Sequence, residues 1–153
     1  MNSKIISSDL FDIYSFDNSS ELRLLLVDNG ISAGFPDSSG DLVHIDFDLN
    51  TDLIKNPAST FFARLKGNKL TAKGFFDGDL LIVDRSLIPK QGNTVLCIIN
   101  DAFAIRMVDI KEDGIYFVHF LEDDNFEKFD PEKDKSNPSS LLWGVVTYSI
   151  RKI

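Results

Sequence analysis

From Ser59 to Ile150 the chain is cut into short apolar runs by turn residues, and this spacing constrains the fold more than any other feature. Ser59 to Lys66 carries Phe61, Phe62 and Leu65 and is predicted as a strand. Asp77-Gly78-Asp79 is a turn, and the continuous apolar run that follows, Leu80 to Asp84, reads as a buried strand. Pro89 to Gly92 is a second turn. Thr94 to Ile99 and Ala102 to Ile110 flank Asn100-Asp101, which predicts a tight hairpin although neither central residue is Gly. Gly114 to Phe120 and Leu141 to Ile150 are further strands, and the acidic, proline-bearing stretch from Glu122 to Ser140 reads as a long loop. A short helical turn is expected over Asp52 to Lys55, ended by Pro57 because the residue before proline avoids the helical region. The pattern as a whole predicts a mainly β, compact rolled fold with one short helix.

Residues 1–33 differ from the rest. They are rich in Ser, Asp and Asn, with apolar clusters at Ile5-Ile6, Leu10-Phe11 and Leu22 to Val27. The last cluster is too short for its period to separate strand from helix. An extended arm that docks through its apolar clusters is the expectation here. At 153 residues the chain has room for one domain and such an arm.

Several function classes fall away on composition. Lys plus Arg is 16 against 24 Asp plus Glu, a net charge of −8. Phosphate recognition needs clustered cations, so no direct nucleic-acid binding is expected and the natural partner is another protein. With one cysteine, Cys97, no internal disulfide is possible and a cytosolic location is expected. His44 and His119 cannot complete a Cys/His zinc site, and no metal or other cofactor is expected. No apolar run approaches the roughly 20 residues that span a bilayer, and Met1 to Leu10 lacks the apolar core of a signal peptide, so no membrane partner is expected.

Identity becomes specific at Gly78-Asp-Leu-Leu-Ile-Val-Asp-Arg-Ser86. This segment resembles the LexA/UmuD family of self-cleaving serine peptidases, and UmuD-like proteins most closely. The likeness extends over Gly34-Phe-Pro36, Leu49-Asn50, Leu53-Ile-Lys-Asn-Pro57, Thr60-Phe-Phe62, Gly67, Gly92, Phe103 and Trp143-Gly-Val-Val146. The resemblance implies the signal-peptidase-like β fold of the LexA/UmuD C-terminal domain, a body over residues 34–153, an N-terminal arm over 1–33, and a homodimer. It also implies an SOS and mutagenesis setting, with a Y-family DNA polymerase subunit and the RecA filament as partners.

The family cuts its own chain with a serine nucleophile and a lysine base, before a Gly-Phe-Pro segment. The scissile pair is kept as Ala33-Gly34. The dyad is not. Gly67-Asn68-Lys69-Leu70 places Lys69 at the nucleophile position, and Phe103-Ala-Ile-Arg-Met107 places Arg106 at the base position. Their separation, 106 − 69 = 37, is the family's own spacing. Arginine has no acceptor and stays protonated, so it cannot take a proton from a nucleophile. Attack by a lysine amine would give an amide, which does not hydrolyse readily, in place of the family's ester. Loss of Ser/Lys self-cleavage is therefore expected, and with it a non-enzymatic role. Two alternatives stay open: an autopeptidase working through an unorthodox residue set, and an antagonist that forms mixed dimers with active paralogues. Ser59 and Thr60 have no His or Lys partner at a recognisable spacing. Cys97 reads as a small buried hydrophobe, and the acidic loop Glu122 to Asp134 as a solvated face.

Overall fold

The computed structural model describes residues 3–16, 49–119 and 142–153 in full, and the backbone alone of 23–27, 44–48, 126–129 and 140–141. Backbone contacts divide the chain into two units, Met1–Phe16 with Asn56–Ile153, and Asp17–Lys55.

The first unit begins with β1 (Lys4–Ser7) and β2 (Phe11–Ser15). In the second unit β3 (Arg23–Val27) pairs antiparallel with β4 (His44–Asp48), which runs into α1 (Leu49–Leu53), the one α-helix among the described residues. Of the segment left open between strand and helix, 22–27, residues Arg23–Val27 are thus a strand. The helix lies one turn earlier than the predicted 52–55, and Lys55 reaches back to donate to the Thr51 carbonyl at 3.0 Å. The first unit resumes with β5 (Thr60–Leu65), β6 (Leu80–Asp84), β7 (Thr94–Ile99), β8 (Ala102–Lys111), β9 (Gly114–Val118), β10 (Phe126–Phe129) and β11 (Ser140–Ile150).

Nine strands form one antiparallel sheet in the order β1-β2-β5-β6-β11-β7-β8-β9-β10. Among the described residues the fold is mainly β with a single short α-helix, as expected. One expectation is corrected. The stretch 122–140 is not loop throughout, because Phe126–Phe129 pairs with β9 from Val118 to Ile115. Near the N-terminus, β1 and β2 join the main sheet, with Phe11 opposite Leu65 and Ile13 opposite Ala63.

Alternation along the strands sorts the apolar side chains to two faces. One face gathers Phe11, Ile13, Ala63, Leu65, Leu81, Val83, Leu96 and Ile105, with Leu70 and Trp143. The other gathers Val95, Cys97, Val108, Phe117 and Val145. In a flat sheet β2 and β8 would lie about 24 Å apart, at roughly 4.8 Å per strand. Yet Phe11 of β2 and Ile105 of β8 share a cluster, and one cleft is lined by Ile6 to Leu10 and by Asp101 to Phe103. The sheet is therefore rolled, with the first cluster inside. A bulge in β11 at Trp143 sets that ring against Phe61 and Phe103, at centroid distances of 5.2 and 5.9 Å.

Candidate functional site

The loop that follows β5 carries Lys69. Gly67 turns the chain at φ 79°, a backbone conformation that side chains disfavour, and its N–H donates to Asp77 Oδ1 at 2.7 Å. The Asn68 carbonyl accepts from the Thr71 hydroxyl at 2.7 Å, and the Leu70 carbonyl accepts from the Lys73 N–H at 3.0 Å. The loop closes where the Gly78 N–H donates to the Leu65 carbonyl and the Leu65 N–H to the Asp79 carbonyl, both at 2.9 Å. Leu70 points into the core, while Lys69 is exposed. Leu70 thus anchors the loop, and Lys69, expected at the nucleophile position, faces outward.

The far end of the chain clamps the same loop. Asp79, 1% exposed, accepts from Arg151 Nε at 2.8 Å, from Arg151 Nη2 at 2.7 Å and from the Phe76 N–H at 2.9 Å. Arg151 also donates to the Gly74 carbonyl, and its guanidinium lies 3.8 Å from the Phe76 ring centre. The Arg151 bonds hold the Asp79 carboxyl below its ordinary value against the opposing effect of burial, with help from the Phe76 N–H. No sequence signal marked this pair as joined, since its members lie 72 residues apart.

Arg106 lies in β8 opposite Val95, so alternation places it on the face of Ala104 and Val108. It is half-buried, and Nη1 donates to the Ile105 carbonyl at 2.9 Å. Ile105 faces the other way and shares the first cluster with Leu70. The loop and the strand therefore meet through the neighbours of the two dyad positions. Lys69 itself opens to solvent, and Arg106 belongs to the opposite sheet face. The Arg106 guanidinium only donates hydrogen bonds and has no acceptor for a proton.

The remaining candidates serve the fold. Thr60 is 3% exposed and its hydroxyl donates to the Asn56 carbonyl at 2.8 Å. Ser59 Oγ lies 3.1 Å from Asp84 Oδ1. Asp84, 4% exposed, also accepts from Asn56 Nδ2 at 2.8 Å, from the Ser86 N–H at 2.8 Å and from the Ser86 hydroxyl at 2.6 Å. Burial pushes its carboxyl up, but the bonds from Asn56, Ser86 and Ser59 outweigh it and the net displacement is downward. Cys97 is fully buried, with Sγ 3.4 Å from the Ala104 carbonyl. Ala33-Gly34, the His44 side chain and the carboxylates of Glu122 to Asp134 lie outside the described residues. Among the described residues no three His, Cys, Asp or Glu side chains are grouped to hold a metal ion.

Known proteins are similar to this chain in sequence. The MucA protein of Salmonella typhimurium is 30% identical over 130 residues, covering 78% of this chain and 79% of MucA. The SamA protein of Salmonella typhimurium is 35% identical over 79 residues, or 52% of this chain and 56% of SamA. ImpA of Salmonella typhimurium is 38% identical over 87 residues, 57% of this chain and 59% of ImpA. Residues 25–134 match the Peptidase S24-like family, a span that takes in β5 to β9, the Lys69 loop and the Arg106 strand. With well over half its length inside that match, the chain belongs to the Peptidase S24-like family.

Proposed function

We propose that this chain is a UmuD-like accessory protein of the SOS response and translesion synthesis that has lost self-cleavage and acts as a homodimeric interaction module. The observation that carries this reading is the occupancy of the dyad positions. Lys69 and Arg106 keep the family spacing of 37 residues, yet neither can fill its role. Arg106 cannot accept the proton, and Lys69 cannot form a hydrolysable ester. Similarity to MucA over most of both chains supports the accessory role. The net charge of −8 supports reaching DNA through partners, by resemblance a Y-family DNA polymerase subunit and the RecA filament.

The test is incubation with RecA filament and at alkaline pH, read by intact-mass spectrometry. The unmodified chain is expected to stay whole, and a new N-terminus at Gly34 would overturn the reading. Lys69→Ser combined with Arg106→Lys restores cutting if only the dyad was lost, and failure of that double variant would show that the cleft or the arm has diverged as well. The retained Ala33-Gly34 pair favours one extension: an active relative cuts this chain in trans. Incubation with such a relative should yield a fragment starting at Gly34, and an intact chain would remove the extension.

A further inference from the structure

We infer that the edge of β5 is a strand-acceptor surface whose occupant is this chain's own residues 4–15, held there without need of the covalent link through 17–55. The backbone shows it first. β2 pairs with β5 over five residues, Phe11 to Ser15 against Leu65 to Phe61, and β1 folds back on β2. The Lys66 N–H extends the ladder to the Leu10 carbonyl at 2.9 Å. The side chains follow. Phe11 and Ile13 have no exposed surface and belong to the main core cluster. Phe16 meets Phe62 edge to face, at a centroid distance of 5.6 Å.

Polar groups fix the register. Asp12 Oδ1 lies 2.8 Å from Lys66 Nζ and 2.9 Å from Lys4 Nζ, and accepts from the Ser7 hydroxyl at 2.7 Å. Lys66 Nζ also donates to the Ser8 carbonyl at 2.7 Å. This is strand addition: main-chain bonds supply affinity, and alternate side chains in core slots supply specificity. The contact division gives the same result, since Met1–Phe16 groups with Asn56–Ile153 and apart from Asp17–Lys55.

The consequence is that cutting the chain between 17 and 55 does not strip the first strands from the sheet. A break at Ala33-Gly34 would leave residues 4–15 in place. The docking is independent of the proposed loss of self-cleavage, because it rests on β1, β2 and β5 alone.

The experiment inserts a protease recognition sequence between Asn18 and Ser19 of the full chain, folds the protein, cuts it and runs size exclusion under native conditions. A cut there leaves β1 and β2 as the only described strands of the released side. The small fragment is expected to co-elute with the body. Its separation as a free peptide would overturn the inference. Asp12→Lys places a third cation between Lys4 and Lys66, and in the cut protein it is expected to speed replacement of the fragment by a labelled peptide of residues 1–18 at least tenfold. Equal rates in the variant and the parent would overturn the role given to Asp12.

Discussion

Gly144 sits where β11 passes β6 with no room for a side chain. A Cβ there would lie 2.6 Å from Val83 Cγ1 and 3.3 Å from the Asp84 carbonyl oxygen. Val83 has no exposed surface and a stiff branched side chain, so the neighbour cannot simply swing away. Gly144→Ala is therefore expected to cost about 1–3 kcal/mol by overpacking, read as a lower urea midpoint with an unchanged slope. A midpoint equal to that of the parent would show that β11 can shift at no cost. Arg151 offers a second case at this scale. Arg151→Met keeps an apolar stem over Phe76 but leaves the Asp79 carboxylate with one backbone donor among its described partners. A lower urea midpoint at neutral pH is expected, because the buried carboxylate loses its charged donor, and a midpoint equal to that of the parent would show that the clamp adds nothing. The assignment of Lys69 and Arg106 to the dyad positions rests on a fixed spacing inside a recognisable frame, which needs no folding information. The Asp79–Arg151 clamp was not legible in the sequence, because only the closed sheet brings residues 72 apart together.

The hairpin between β7 and β8 turns on Asn100 at φ 49° and Asp101 at φ 62°. Both central residues adopt the left-handed conformation of a type I′ turn, which matches the twist of the strands and which Asn and Asp tolerate better than other side chains. Asp101→Gly creates the preferred Asn-Gly pair and is expected to stabilise the protein by about 0.5 kcal/mol, seen as a small rise in Tm. A fall in Tm would mean that Asp101 contributes something beyond the turn. This hairpin was readable because its two apolar runs and polar tip are contiguous. The same holds for β5, β6 and β11, each a short apolar run with turn residues at its ends. Phe126–Phe129 was missed because Glu127 and Lys128 break its apolar pattern inside an acidic stretch, and only pairing with β9 makes it a strand. The docking clusters Leu10-Phe11 and Ile5-Ile6 were legible as apolar. Their destination was not, since β2 pairs with a strand about 50 residues further on and local patterning carries no register for so distant a partner.

Three carboxylates tie the first unit together across long stretches of chain, and all three are held below the ordinary carboxylate range. Asp12 is lowered most, by Lys66 first and then by Ser7 and Lys4, though its lysines are largely solvated and screening leaves the pair little weight in stability. Asp79 and Asp84 are buried, and their bonds join the chain terminus to the 70–79 loop and the 56–59 turn to the end of β6. A carboxyl lowered in the folded state binds its proton more readily when unfolded. Its contribution is therefore complete above the unfolded value of about 3.9 and is lost as pH falls below that value towards the folded one. The protein is expected to hold a nearly flat Tm from pH 7 to about 5 as far as these groups are concerned, and to lose stability steeply below about pH 4. Asp84→Asn isolates one of them. The amide keeps the shape but turns one acceptor into a donor facing Asn56 Nδ2, so a deficit of about 2 kcal/mol is expected at pH 7. That deficit should shrink as pH falls below about 4, because the parent's own carboxyl then becomes a neutral group with a donor. Thermal unfolding of both proteins from pH 7 to 2.5 measures the gap. A gap that stays constant across that range would show that the Asp84 charge adds nothing to the fold and that only the shape of its side chain matters.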